Sequence, residues 1–440
     1  SRPCTSDLSA VRERPLGGIS HTPYAETLVG SGGSRVSDGS VSVIVDQRSP
    51  GRTRRWAMLG ASTLAQAAAA VTIHGPAFLI PSLRDQLGLS LPQAGLVAAA
   101  PTLGVVLALV AWGMVTDRRG ERLVLVTGLL LTAGAGGLAV LGARSQDPTM
   151  LGLTLLLAGA AAASTASASG RVVVGWFPPQ RRGLAMGIRQ MAQPVGVGVA
   201  AVSIAVTAER HGVASALLVP AVAALVGALV VLAVVVDPPR PPRVEGDAPN
   251  PYRRDGYLAR IHLVSVLLVV PQFLVWTFAL VWLITDRGWS AAAAGSLVGL
   301  AQVAGALGRI AAGALSDRVS SRLRPLRWVA VAAAVCMGAL GVAAGLDAAI
   351  AVPLVVVATV LTVADNGLAF TAVAERAGPF WSGRALGAQN TAQYLAASAV
   401  PPVAGVVVDR IGFAAAFALA ALCPLLAAPL VPAEQEHPLR

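Results

Sequence analysis

From Trp56 almost to its end, the chain repeats one device: an apolar run of about twenty or more residues closed by a short polar connection. A bilayer core of roughly 30 Å needs about 20 apolar residues per helix, and hydrocarbon offers backbone polar groups no partner except one another. Such a chain folds as a bundle of membrane-crossing helices. The runs predict helices near 56–80, 91–115, 123–143, 149–176, 184–207, 213–236, 258–285, 291–315, 326–346, 350–374, 384–408 and 413–432, about twelve in all. With 55% hydrophobic and 12% charged residues, an ordinary water-soluble globule is excluded. The abundant glycine and alanine suit helices packed backbone to backbone, because in lipid close contact replaces the hydrophobic drive between helices.

The formal net charge of +11 comes entirely from arginine, since the sequence contains no lysine. These arginines sit in short connections rather than in a basic domain, which argues against a nucleic-acid partner. With the amino-terminal tail inside, the inner connections carry Arg118, Arg119, Arg122, Arg181, Arg182, Arg240, Arg243, Arg253, Arg254, Arg318, Arg322, Arg324, Arg327, Arg376 and Arg384. The outer ones carry only Arg84, Arg144, Arg210, Arg287 and Arg410, each with an acid close by. Positive charge is retained on the cytoplasmic side, so both termini are expected there, in a plasma-membrane protein. Residues 1–55 have no apolar signal-peptide core and are expected to form a disordered cytoplasmic tail. Cys4, Cys336 and Cys423 form neither a disulfide framework nor a metal-type spacing, so no metal and no cofactor is expected.

One register of 200 residues relates the two halves. Gly95 pairs with Gly295, Gly113 with Gly313, Asp117 with Asp317 and Arg118 with Arg318. GLAMGIRQMAQ from Gly183 pairs with GRALGAQNTAQ from Gly383, again without a gap. The expected domains are therefore a six-helix bundle over 56–236, a polar, proline-rich cytoplasmic linker over 237–257, a second six-helix bundle over 258–432 and a short cytoplasmic tail over 433–440.

Twelve spans as six plus six, with GMVTDRRGER between the second and third, resemble the major facilitator superfamily, whose signature there is G-x-x-x-D-[RK]-x-G-[RK]-[RK]. The match falls on Gly113, Asp117, Arg118, Gly120 and Arg122, with Glu121 where the family often has a basic residue; the second copy keeps Gly313, Asp317, Arg318 and Arg322. The resemblance implies an all-α membrane protein of two pseudo-symmetric bundles. It also implies that Asp117 meets the start of the eleventh span near Ser382 to Arg384 as one side of a cytoplasmic latch, with Asp317 meeting the fifth span near Arg182 and Gly183. Independently, an acid at the negative end of a helix dipole needs a cation or a helix N-terminus as partner. The plainer alternative is that these are turn residues and positive-inside charges.

Ionisable groups deep in lipid are functional candidates, because each costs several kcal/mol there unless it is paired or wetted. Arg309 and Asp365 lie roughly 12 and 15 Å from the inner ends of their helices. They are candidates for substrate binding, Asp365 also for proton coupling, or else form a structural pair. Arg189, with Gln190 and Gln193 nearby, binds an anion or snorkels to the interface; Arg171 is a substrate candidate that more readily snorkels. His74, in HGPAFLIP, is a candidate proton relay or a packing histidine, and Pro76 and Pro81 kink or end its helix. GRIAAGALSDR from Gly308 and GWFPPQRRGLAMG from Gly175 resemble anion-transporting branches of the superfamily. QPVGVG, from Gln193 to Gly198, is a degraded match to the antiporter element G-P-x-x-G-G.

The expectation is a secondary transporter working by alternating access on a small-molecule substrate, with a small organic or inorganic anion favoured and protons as the coupling ion. Its cavity is expected between spans one, four, seven and ten, with contributions from five and eight. The alternatives are an efflux antiporter for drugs or metabolites and a transporter-like receptor. No catalytic or nucleotide-binding motif is present, so no enzyme is expected.

Overall fold

The computed structural model describes residues 50–239 and 249–436. Most of the expected 1–55 tail, the middle of the linker and the last four residues lie outside them. The helices are α1 (Arg52–His74), α2 (Ile80–Leu87), α3 (Leu91–Arg119), α4 (Glu121–Arg144), α5 (Pro148–Trp176), α6 (Pro179–Gln190), α7 (Ala192–Ala216), α8 (Leu218–Val234), α9 (Tyr257–Thr285), α10 (Ala291–Val319), α11 (Leu323–Gly345), α12 (Ala351–Ala377), α13 (Ser382–Ala420) and α14 (Leu422–Leu430). Between α1 and α2 runs a 3-10 turn, Gly75–Leu79, whose Pro76 supplies no amide hydrogen to a continuing helix.

Among the described residues, ten helical segments are long and apolar enough to cross a membrane. The longest, Ser382–Gln435, holds two crossings because Gly412 breaks it, and α8 is a shorter apolar helix. Counted this way, the segments agree with the twelve runs of the sequence. Helix starts are written locally: Ser90 and Gln93 form a reciprocal capping box on α3, and Asp147 accepts from Thr149 N and Met150 N on α5.

The 200-residue register reaches into backbone conformation. Gly212 and Gly412 reverse the chain at φ of 84° and 82°, a region that side-chain-bearing residues avoid. Gly88 and Gly288 match in the same way, at 65° and 68°. The outer surface is apolar, with Leu96, Leu107, Leu300 and Val335 each about two-thirds or more exposed. Water does not solvate a belt of that kind, whereas lipid does.

Each half packs on itself through α3, α4 and α5, or through α10, α11 and α12. The halves meet where α6 lies along α10 and where α3 lies along α13. α10 follows α6 far more than its continuation α7, so that seam is concentrated toward the end bearing the two Asp-Arg motifs.

Candidate functional site

Two seams close the motif-bearing end, and glycine makes both possible. A Cβ on Gly113 would stand 2.5 Å from Gly383 O, and one on Gly313 would stand 2.1 Å from Gly183 O. One turn further in, Gly387 meets Leu109 O and Gly187 meets Arg309 O at 2.7 and 2.6 Å by the same measure. These paired glycines therefore let the backbones touch.

Asp117, at the end of α3, reaches across to the opening turn of α13. Its carboxylate accepts from Gly383 N at 2.8 Å, Arg384 N at 3.0 Å and Arg384 Nε at 2.9 Å. Arg171 of α5 donates Nη1 to the same carboxylate at 2.6 Å, pairs through Nε with Glu121 at 2.7 Å and donates Nη2 to Pro379 O across the seam at 2.8 Å. Arg384 also lies over the Trp381 ring at 3.6 Å.

Asp317 accepts from Gly183 N at 3.0 Å and Leu184 N at 2.8 Å in α6. Its cation is Arg322, which donates Nη1 at 2.6 Å, hydrogen-bonds Pro179 O and pairs with Glu375. Arg182 meets Glu375 from the opposite half at 3.2 Å.

Several expectations change here. Arg171 neither snorkels nor faces a cavity; it is buried in the Asp117 seam, because two carboxylates there need a cation. Arg118 and Arg318, the arginines beside the aspartates, point outward and are exposed. Gly120 takes a left-handed φ of 106° beside Asp237, which accepts from Arg122 N at 2.7 Å, while the Arg122 side chain donates to Leu232 O. The cations that the two aspartates need come from Arg171 and Arg384 at the first seam and from Arg322 at the second.

Beyond the seams lies a small polar cavity of about 50 Å³. Its wall holds Gln66 of α1, Arg189 and Gln190 of α6, Gln193 of α7, Gln272 of α9, Asn366 of α12 and Asn390, Gln393 and Tyr394 of α13, with Phe273 and Phe370. The fourth and eighth spans contribute no lining residue, contrary to expectation, and the eleventh does. The glycine contacts between α3 and α13 carry α13 into the centre, where its Asn390 and Gln393 face the cavity. Gln393 donates to Asn366 and Asn366 to Gln272, each at 3.1 Å, so the amides of the second half form one chain.

Among the described residues, Arg189 is the only cation in that wall, and it is 2% exposed. It donates to Ser169 Oγ at 2.8 Å, Gln190 Oε1 at 2.9 Å and Ala166 O at 3.2 Å, with Gln66 Oε1 at 3.5 Å, and its guanidinium lies 5.9 Å from the Phe370 ring. Every acceptor is neutral, and no lining residue is acidic.

Arg309 is equally buried but lies outside the lining, donating Nη1 to Gln190 O at 2.6 Å. Asp365 is buried on α12 beside the lining residue Asn366, with Oδ2 unpartnered, and no ion pair within 4 Å joins it to Arg309. The direct structural pair is therefore not made in this conformation. His74 is half-buried at the end of α1, outside the cavity wall, and its Nε2 has no hydrogen-bond partner. The amides Gln66, Gln272, Asn366 and Asn390 were not singled out in the sequence, and Gln393 stood out there only as the repeat partner of Gln193; their signal is polar amides inside otherwise apolar spans.

Residues 60–401 match the family model described as Major Facilitator Superfamily. An uncharacterized MFS-type transporter of Mycobacterium tuberculosis (strain ATCC 25618 / H37Rv) is 46% identical over 381 residues, covering 86% of this chain and 85% of that protein. Among solved structures, the E. coli fucose:proton symporter superposes with a TM-score of 0.71 at 16% identity, over 86% of this chain and 98% of that one. The human organic anion transporter MFSD10 superposes with a TM-score of 0.66 at 17% identity, over 86% and 99%. One fold thus carries a neutral sugar in one relative and organic anions in another, so what is carried is written in the cavity rather than in the architecture.

Proposed function

The chain belongs to the Major Facilitator Superfamily and is a multi-pass secondary transporter rather than an enzyme, and from that premise we propose that its cargo is a small organic anion bearing hydroxyl groups. One observation carries the reading: Arg189 is a buried cation at the cavity wall with only neutral acceptors around it. A buried charge without a counter-ion is costly, and a bound carboxylate would supply that counter-ion through the planar fork of the guanidinium. The surrounding amides each offer donors and an acceptor, which suits hydroxyl groups, and Phe273 and Phe370 offer apolar faces for the carbon skeleton. A lipophilic cation, the usual cargo of the efflux alternative, would meet Arg189 and no lining carboxylate.

Transport is by alternating access. The present conformation has the motif-bearing end closed, and the arginine bias of the connections supports that end and both termini being cytoplasmic, in the plasma membrane. The two bundles over 56–236 and 258–432, joined by the 237–257 linker, are the bodies that would rock. Coupling to protons is proposed on Asp365, an acid buried at mid-depth and adjacent in sequence to the cavity residue Asn366.

The test is thermal unfolding of the purified protein with small hydroxycarboxylates, nitrate, neutral sugars and lipophilic cations, on wild type and Arg189→Gln. A ligand present at a hundred times its Kd stabilises the folded state by about 2.7 kcal/mol. The expected result is a rise in melting temperature with hydroxycarboxylates that is absent in Arg189→Gln. Stabilisation by a neutral sugar or a cation, unchanged in the variant, would overturn the reading.

A further inference from the structure

Pro194 lies four residues after Gln190, at the position whose N–H would close the helical hydrogen bond onto the Gln190 carbonyl. Proline has no N–H, and the fifth span divides there: α6 ends at Gln190 and α7 begins at Ala192. Met191 N turns back to Ile188 O at 3.1 Å, a tightened last turn. The freed carbonyl is taken from the opposite half by Arg309 Nη1 at 2.6 Å. In the equivalent stretch of the second half no such break occurs, since α13 runs on through Asn390 and Tyr394 as one helix.

Arg309 is only partly satisfied by this bond. Its Nε is buried without a partner, and so is Asp365 Oδ2 on α12, the helix that packs along α10. The two groups stand on adjacent helices of one half and form no ion pair within 4 Å of one another. Two opposite charges in the same half, each with a buried unpartnered atom and one of them donating across the seam, are poised for a change of partner.

We propose that Arg309 is an exchange clasp: it holds the Gln190 carbonyl across the halves while the Asp117 and Asp317 seams are closed, and turns to the Asp365 carboxylate within its own half when they open. Arg309 is thus a positioning residue for the rocking motion rather than a cargo ligand. Gln190 connects the clasp to the cavity, because its carbonyl takes Arg309 and its side-chain oxygen takes Arg189 at 2.9 Å. The proposal does not depend on what the cargo is.

The experiment measures the separation of spin labels on Gln146→Cys and Asp347→Cys, both exposed in connections of opposite halves at the end away from the motifs. The full chain, with its native cysteines replaced by serine, is reconstituted in lipid nanodiscs. Pro194→Ala lets α6 and α7 join and returns the carbonyl to the helix, so the closed-seam population is expected to fall several-fold. Asp365→Asn removes the second partner and is expected to raise that population. In an Arg309→Gln background both shifts are expected to disappear. Shifts in the same direction, no shift in either variant, or shifts of unchanged size in the Arg309→Gln background would each overturn the exchange. A purely structural Arg309 would lower the folded yield without producing the opposed, Arg309-dependent changes.

Discussion

The two seams are built from one repeated motif, yet they are held by different means. At the first, Asp117 is 1% exposed and accepts from two backbone amides and two arginines, one from each half. At the second, Asp317 is 10% exposed and accepts from two amides and one arginine of its own half. In both, an arginine bonded to the aspartate also reaches the carbonyl at the foot of the opposite helix, Pro379 from Arg171 and Pro179 from Arg322, positions that are again 200 residues apart. These two arginines come from unrelated places, α5 in one half and the connection before α11 in the other. The repeat preserves the job and the carbonyl it serves while the supplier has changed.

The strongest way to break this comparison is at the carboxylates. Asp117→Asn leaves Arg171 and Arg384 without the charge they share, and removing one partner of a buried ion pair costs about 3–5 kcal/mol. Asp317→Asn, at a more open site with one arginine that keeps Glu375, should cost about 1.5–3 kcal/mol, the range for a hydrogen bond to a charged group. At about 1.4 kcal/mol per tenfold in population, Asp117→Asn should therefore open the motif-bearing end far more than Asp317→Asn. Labelling of single cysteines at that end by a membrane-impermeant thiol reagent reports the opening. Equal labelling in the two variants would mean that the additional arginine contributes nothing to closure.

Glycine should reverse the order. A methyl group at Gly313 would sit 2.1 Å from a backbone carbonyl and one at Gly113 2.5 Å from its own, so Gly313→Ala is the tighter clash. Overpacking of this kind costs about 1–3 kcal/mol. The expected outcome is a larger drop in thermal stability, and more thiol labelling, for Gly313→Ala than for Gly113→Ala. The reverse order would show that the first seam is the less yielding of the two and that its carboxylate network resists displacement.

How much of this was legible in the sequence follows from what a periodic pattern can encode. Gly113, Asp117, Gly313 and Asp317 stand out because they recur at one interval, and the sites they meet, near Ser382 and Gly183, follow from the family resemblance. Arg171 has no counterpart at that interval, and Arg322 recurs as Arg122, whose side chain goes to Leu232 O instead, so the spacing alone does not mark either as an aspartate's partner. The cavity was less legible still. Which face of a transmembrane helix looks inward depends on its rotation in the bundle, and an apolar span carries almost no amphipathic signal to set that rotation. Arg189 and Gln193 were reached because charge and amides close together are rare in lipid, whereas Gln272 is a lone polar residue in an apolar stretch and Asn366 and Asn390 sit among polar neighbours, so the sequence does not show which of them faces the cavity. Arg309 drew attention for its depth, but its partner is a carbonyl, and a sequence shows no sign of which carbonyl lacks an N–H until Pro194 is counted back four residues.

The smallest expected effect tests whether the asymmetry extends beyond the seams. After its last helix each half sends a carboxylate back to the start of its third: Asp237 accepts from Arg122 N at 2.7 Å ahead of α4, and Glu436 accepts from Leu323 N at 3.1 Å ahead of α11. Glu436 also accepts from Arg322 N and Ser321 Oγ. Both anions face the positive end of a helix, a placement worth about 0.5–2 kcal/mol for a capping side chain. Glu436 meets two amides and a hydroxyl and adjoins the arginine that serves Asp317, so Glu436→Gln should lower the melting temperature more than Asp237→Asn. Because Arg322 binds Glu436 through its amide and Asp317 through its guanidinium, the second cap and the second seam share a residue, and their losses should not add. The Glu436→Gln/Asp317→Asn double variant is expected to fall short of the sum of its single effects, while Asp237→Asn and Asp117→Asn, which share no such residue among the described bonds, should add within about 0.5 kcal/mol. Additivity in both pairs would mean that Arg322 serves the two sites independently and that the second half is no more tightly coupled than the first.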